Sequence, residues 1–549
     1  MFLTPHWATL SHFNVLDHLP TFICLFIAHR VWAFYRGIRV VNHIPRLYAP
    51  FHPFGMPGAL FSTTTWWNIS RDVHWVRRST LYATNEIVPV VPFLVGKPLI
   101  YVSNLDVARQ IISGGNRASF PKPVWSSRAL KLWGMNLFAA EAEVWRKHRR
   151  IMGPAFNNEL YRLVWTETSK TYREMIVSEG WEAKGTGSTT AAQELTFKLA
   201  LILIGKCAFG FSLSWDDPPR TSDGRESIQD TMKTVAETTI LRLAAPRWVM
   251  RLPLRRIREC NAAYEAIEVF MKDQVSRQKQ EIENDSRKDV LSLLIKANEH
   301  EESKFKLSDA EVIGDIFVIL FAGHETTAHA LGATLGLLAV SQDAQDEVFE
   351  QIKDVVGFDR DPEFDDYNRL NKVLAVFFEA IRLFPSGHIM PRQASEDVII
   401  QVPNPRGQEG THTMLIPKGQ EVAIDVVGLR MSLFSFSVIS YWRLIIADRE
   451  EYNPRYFHDP MSFKPSRWHD TQNDSEEFTA FSFGPRACIG RKFATTEAVC
   501  FLTMLLRDWR VVPRLNVGES EEEWKARVLE AKMVMALGAQ DVPVTFLKR

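Results

Sequence analysis

From Ser308 to about Val340 the sequence runs as one helical pattern with no proline, opened by a capping box at Ser308 and Glu311. At 1.5 Å per residue, a helix of that length is about 50 Å long, enough to cross a whole domain. A chain with such an element must fold around it. Its 549 residues, 46% of them hydrophobic, can fill a core of the required size. Helical signals dominate from Ala139 to Leu505, and shorter strand-like runs occur at Pro98 to Val102, Val398 to Val402 and Glu421 to Val426. The expected fold class is mainly α with a small β-sheet portion.

Lys plus Arg equals Asp plus Glu at 65 each, so no global positive field attracts a polyanion, and nucleic-acid binding loses support. The cysteines Cys24, Cys207, Cys260, Cys488 and Cys500 are odd in number and scattered. That usage fits a reducing, cytosol-facing compartment rather than a disulfide framework. Near the N-terminus, Leu19 to Ala28 is an uncharged apolar run that Val31 to Tyr35 extends past His29 and Arg30. A spanning helix wants about 20 apolar residues, and an arginine at the bilayer centre costs about 2.5–3.5 kcal/mol unless it snorkels. Arg30, Arg36, Arg39 and Arg46 follow the apolar run, which keeps the remainder cytosolic by the positive-inside rule. Residues 1–45 are therefore expected to form a single-pass membrane anchor with a basic flank, the alternative being a helix that lies in the interface. Pro45, Pro50, Pro53 and Pro57 punctuate a stiff linker, and one catalytic domain is expected over 46–549.

The densest chemistry lies in Phe481, Gly484, Arg486, Cys488 and Gly490, just ahead of a helical run from Arg491 to Leu506. The glycines permit tight backbone paths beside a flat ligand, and the helix N-terminus stabilises a thiolate through its amides and dipole. Arg486 can answer a negative group on that ligand. At these residues the sequence resembles the cytochrome P450 family, whose haem-binding loop carries phenylalanine, glycine, arginine, cysteine and glycine at this spacing. The resemblance implies a cytochrome P450-like fold, haem b as cofactor and Cys488 as the axial metal ligand, whose thiolate favours O–O cleavage.

Other motifs agree with it in family order. In the middle of the long helix, Ala322, Gly323, His324, Glu325, Thr326 and Thr327 place an acid and hydroxyls in an apolar helix, where the Thr326 hydroxyl can bond the Ala322 carbonyl. The resemblance assigns this turn to the distal face of the haem, with Glu325 relaying protons and Thr326 holding the oxygen and water network; His324 reads as a packing residue. Glu379 and Arg382 share a helix face by their spacing of three. The resemblance adds Arg467 and makes the three a buried network that supports the cysteine loop. In the basic run Trp145 to Arg150, Trp145 and Arg149 share a face. The resemblance directs both, with Arg392, at haem propionates. Arg146, Lys147 and Arg150 are then expected to face outward, either as a solvated face or as a patch for an acidic electron donor.

The implied reaction inserts one oxygen atom of dioxygen into a C–H or C=C bond of a hydrophobic small molecule, with terpenoids and other secondary metabolites as candidate substrates. Electrons would come from NADPH through a separate NADPH-cytochrome P450 reductase, since no Gly-rich dinucleotide fingerprint precedes a helix here. The resemblance, closest to fungal microsomal members, places the protein at the endoplasmic reticulum membrane with its catalytic domain on the cytosolic side. Family position marks Phe120, Val124, Met135, Phe321, Ile389, Met390 and Leu537 as substrate-pocket candidates. The alternatives are a haem-thiolate isomerase or dehydratase and a non-catalytic haem-binding protein; retention of both Glu325 and Thr326 argues against the isomerase. One departure from the family stands out. Arg430 to Glu451 intervenes where the family passes almost directly between elements, and it contains the apolar run Met431 to Ile439. Its codons permit donor-like and acceptor-like splice sequences, so a retained intron is one expectation and a genuine inserted loop the other.

Overall fold

The structure, a computed structural model, describes residues 15–549 apart from 42–43, 56, 65–66, 79, 114–117, 212, 217–226, 246–247, 282–288, 300, 302–304, 406–407, 432–458, 470–478, 534–535 and 540. The long pattern folds as a single helix, Asp309–Ala339, with both halves of the capping box made: the Ser308 hydroxyl accepts the Glu311 N–H, and the Glu311 carboxylate accepts the Ser308 N–H. Its C-terminal half is buried almost all round, Leu331 to Ala339 without a break. It shares a core with helices Asn371–Leu383 and Arg491–Asp508 through Leu331, Leu338, Phe377, Phe378, Leu502 and Phe501. Two glycines let a loop lie directly on its N-terminal half. A Cβ on Gly134 would overlap the Ala310 carbonyl, and one on Gly314 the Met135 carbonyl.

The sheet portion is small, as expected. Its largest sheet has five strands in the order Leu47–Phe51, Ile87–Val95, Leu99–Val102, Glu421–Asp425 and Ile389–Gln393. Leu99–Val102, Val398–Pro403 and Glu421–Asp425 fall where the sequence predicts strands. The proline-punctuated linker does not stay irregular: Leu47–Phe51 pairs in parallel with Ile87–Val95. Pro50, which has no N–H to give, is accommodated because this is the sheet's edge.

The expected membrane-spanning anchor is not confirmed. Val15–Val40 is one helix, but no described helix is long and apolar enough to cross a membrane. His29, Arg30, Arg36 and Arg39 break up its apolar character. Nor does the helix stop at the domain's edge. Phe34, Ile38, Val40, Val41 and Ile44 pack into the sheet core, and Gly37 sits so close to Pro98 that a Cβ would lie 3.0 Å from its ring. Its preceding turns expose Phe22, Leu25, Phe26, Ile27 and Trp32. Most of Arg430 to Glu451 lies outside the described residues.

Candidate active site

The cysteine loop is built by its backbone. The Cys488 N–H donates to the Phe481 carbonyl at 2.8 Å and the Ala487 N–H to the Gly484 carbonyl at 3.0 Å. Gly484 sits at φ +69°, and a Cβ there would lie 2.8 Å from Cβ of Ser113, so the position requires glycine on both counts. Helix Arg491–Asp508 begins three residues after the cysteine, and Arg491 stacks over the Phe481 ring. Cys488 is an exposed residue, with protein packed closely round its sulfur. That enclosure raises the thiol pKa, while the Gly490 and Arg491 amides and the charges of Arg149 and Arg491 oppose the rise.

Above the loop lies an excess of positive charge. Arg486 donates to Glu141 Oε2 and to the Ala140 carbonyl, both at 2.7 Å, and its guanidinium lies 4.5 Å from the centre of the Trp145 ring. Lys122 reaches the same Glu141 at 3.4 Å. Burial pushes Lys122 down to about 8, with Glu141 opposing and Arg486 and Arg392 assisting. Burial likewise takes Arg392 down to about 10, against the pull of Glu141. Three cations, Lys122, Arg392 and Arg486, thus converge on one carboxylate, and a buried surplus of that kind calls for further anions. The two propionates of a haem are such anions, and the loop supplies a thiol donor for its iron, so these residues fit the group. Sequence reasoning missed Lys122 and Glu141; the one available signal was a cation held between Pro121 and Pro123.

The acid and alcohol of the central helix face different surroundings. The Thr326 hydroxyl donates to the Ala322 carbonyl at 2.7 Å, the back-bond expected from sequence, and Ala322 is exposed. Glu325 is buried, and burial raises its carboxyl to about 7 although the Ala536 amide stabilises the ionised form. His324 is a packing residue: buried, its Nδ1 lies 2.7 Å from the Leu320 carbonyl, and burial lowers its pKa to about 4.

Glu379 and Arg382 are fully buried and paired through two 2.8 Å bonds. Arg467 joins Glu379 at 3.2 Å, as expected, and two further donors appear, the Trp468 indole at 2.8 Å and the Lys464 amide at 2.9 Å. Arg382 and Arg467 also hold the carbonyls of Pro460, Ser462 and Asp459.

On the basic face of Ala142–Met152, Arg146 and Arg150 point outward as expected, at 61% and 57% exposure, and Lys147 does not. Lys147 bonds Glu311 at 2.8 Å and is only one-fifth exposed, because the helix packs against the start of Asp309–Ala339. Arg150 pairs with Glu301 at 2.9 Å and Arg146 with Glu143. Pocket candidates divide. Phe321 and Ile489 share one apolar cluster, Met390 accepts the Ser482 hydroxyl at 3.3 Å, Ile389 is half-buried, and the Met135 backbone lies on Gly314. Phe120 and Leu537 are core residues at 2% and 1% exposure, whereas Val124 stands 73% exposed.

A thiol at a helix N-terminus, a cationic recess beside it and an acid–alcohol turn in a domain-crossing helix define a haem-thiolate enzyme. The comparisons with known proteins agree. A family model described as Cytochrome P450 matches residues 82–433 and 444–535. Cytochrome P450 monooxygenase 124 of Postia placenta is 35% identical over 441 residues, covering 79% of this chain and 80% of that one. Cytochrome P450 monooxygenase AOL_s00215g278 of Arthrobotrys oligospora is 24% identical, covering 80% of each. Among solved structures, the heme domain of cytochrome P450DA superposes with a TM-score of 0.67 at 19% identity, covering 92% of this chain and 98% of that one, which shows the fold. The chain belongs to the cytochrome P450 family and is a haem-thiolate monooxygenase.

Proposed function

We propose that this enzyme oxygenates a hydrophobic small molecule, of the terpenoid or other secondary-metabolite kind, with electrons from NADPH delivered by a separate cytochrome P450 reductase. The Cys488 loop carries the reading: one cysteine, backbone-locked at the start of a helix, below a recess with surplus positive charge. Lys122, Arg392 and Arg486 would hold the haem propionates with Trp145 and Arg149, and Cys488 would hold the iron. Bound haem supplies the redox-active iron at which dioxygen is reduced. Gly484 and Gly490 would let the loop approach a bound haem closely, and Phe481 would shield the loop beside Arg491. Thr326 presents a hydroxyl whose proton is held by the Ala322 carbonyl, from which it could turn to donate to dioxygen or water held beside it. Glu325, with its carboxyl near 7, can both take up and release a proton at neutral pH. Apolar walls from Phe321, Ile389 and Met390 support a hydrophobic substrate.

The exposed apolar side chains of Val15–Val40, and those of Phe93, Leu94 and Val95 at the end of the strand it packs on, support a membrane surface as the enzyme's location. With Arg30, Arg36, Arg39 and Arg46 following the apolar run, an interfacial helix on the cytosolic side of the endoplasmic reticulum fits best. Replacing Cys488 by alanine tests the central claim: the red-shifted Soret band of the reduced carbon monoxide complex should disappear, and an unchanged band refutes the assignment.

A further inference from the structure

The centre of the helix Asp309–Ala339 carries an unusual load of side-chain donors on its carbonyls. His324 Nδ1 lies 2.7 Å from the Leu320 oxygen, the Thr326 hydroxyl 2.7 Å from that of Ala322, and the Thr327 hydroxyl 3.0 Å from that of Gly323. The helix supplies those three itself. A fourth comes from outside: the Ser386 hydroxyl donates to the Thr326 carbonyl at 3.2 Å. The three donors from within the helix compete with the ladder amides and loosen the turn, so its alignment depends on what holds it from outside.

Ser386 is well placed to hold it. It follows helix Asn371–Leu383 and precedes Ile389 by three residues, in the segment that carries the pocket candidates Ile389 and Met390. Its own carbonyl accepts the Leu537 N–H at 3.2 Å. Leu537 pairs with Met533 in the hairpin of Ala531–Met533 and Leu537–Ala539. The preceding amide of that hairpin, Ala536, stabilises the Glu325 carboxylate. Two consecutive amides therefore hold the acid directly and the alcohol-bearing residue through one serine. A carbonyl oxygen has two lone pairs, so Ser386 can take the second on Thr326 without displacing the helix bond.

We propose that Ser386 is a positioning residue that transmits occupancy of the substrate pocket to the Thr326 turn, through the Leu537–Ser386–Thr326 chain of hydrogen bonds. The inference rests on the monooxygenase reading of that pocket. A ligand pressing on Ile389 or on the hairpin moves Ser386, and Ser386 moves the carbonyl of the residue whose hydroxyl faces the chemistry.

The test uses hydrogen exchange on the haem-loaded, full-length protein with and without phenylimidazole as a pocket-filling probe. In the parent, the probe should slow exchange in peptides covering 322–332 and 531–539. In Ser386→Ala, half-saturation by the probe should stay within about twofold, and the hairpin peptide should still slow. Peptide 322–332 should exchange about fivefold faster and no longer respond to the probe. Ser386→Thr should restore the response. With reductase and NADPH, Ser386→Ala should also yield more peroxide per electron. Retention of the probe response at 322–332 in Ser386→Ala overturns the proposal, and so does simultaneous loss at both peptides with a lowered thermal midpoint, which is general loosening. Should Ser386→Ala fail to take up haem, Ser386→Cys, of similar size and with a weak donor, gives the same comparison. A parent that binds the probe but oxidises no NADPH with reductase overturns the monooxygenase reading and leaves the exchange comparison standing.

Discussion

Replacing Glu379 by glutamine should destabilise the enzyme more than any other single change of one heavy atom. Glu379 is wholly buried and accepts from Arg382 twice, from Arg467, from Trp468 and from the Lys464 amide. Glutamine keeps one acceptor oxygen and turns the other into a donor that faces donors whichever way the amide is placed. It also removes the carboxylate charge paired with the Arg382 guanidinium, itself fully buried. Breaking a buried pair from one side costs about 3–5 kcal/mol. Across a chain of this length, at about 2 cal/mol/K per residue, that lowers the midpoint of a single cooperative transition by about 3–5 °C, and by more if a smaller unit unfolds. Because Arg382 and Arg467 also hold the carbonyls of Pro460, Ser462 and Asp459, the loss should appear first as poor haem retention. Acid adds a second check. Burial alone would raise the Glu379 carboxyl, but the Arg382 bonds outweigh it and its pKa is lowered. A lowered folded pKa gives stability that is present above the unfolded value, about 4.3, and is lost as pH falls through the folded one. The parent should lose that increment below about pH 4, and the glutamine variant should have none to lose. Differential scanning calorimetry and haem content from pH 3 to 7 measure both. Full haem content with an unchanged midpoint in Glu379→Gln would refute the reasoning.

Thr326→Ala should keep its haem and divert NADPH electrons to peroxide; unchanged coupling of NADPH use to product removes the role given to the hydroxyl. Burial holds Glu325 near 7, so product formation per electron should fall as pH rises through about 7 and the group ionises, and Glu325→Gln should flatten that profile. Ala142 starts its helix at φ +45°, a conformation that strains a residue with a Cβ by about 1–2 kcal/mol, so Ala142→Gly should raise thermal stability; a lowered midpoint counts against strain there.

Chemistry that is local in sequence was legible in it. The Cys488 loop, the capping box at Ser308 and the Glu379–Arg382 pair each need only a few consecutive residues to be recognised. Arrangements joining distant segments were not. Lys122 and Glu141 meet only because the loop and the helix start fold together, and nothing near Trp468 says that its indole serves Glu379. Lys147 looked outward because helical spacing shows a face without showing what covers it; Glu311 covers it from another helix. Pro50 argued for a linker, and pairing at a sheet edge overrode that local preference.

The segment from Arg430 to Glu451 yields the last prediction. The family match stops at 433 and resumes at 444, inside the stretch that departs from the family on reading the sequence. Both flanks are fixed. On one side the Gly428 amide and the Tyr82 hydroxyl bond Asp425 at 2.9 and 2.7 Å, and Leu429 is buried in the sheet core. On the other, Arg382 and Arg467 hold Asp459, Pro460 and Ser462. Loop length alone is a weak objection, since doubling a loop costs only about 0.6 kcal/mol in closure entropy. Composition is a stronger one: Met431 to Ile439 is mainly apolar, and apolar surface left in water costs about 25 cal/mol per Å². Excision at the splice-like boundaries keeps the frame and leaves one glutamine between Leu429 and Tyr452. Transcript sequencing should then show the shorter form dominating. Because neither fixed flank is removed, the shorter protein should keep the Glu379–Arg382–Arg467 network and take up more haem per chain than the longer one when the two are expressed side by side. Peptides spanning Met431 to Ala447, recovered from the native organism at the abundance of the rest of the chain, would make the segment part of the working enzyme and end the intron reading.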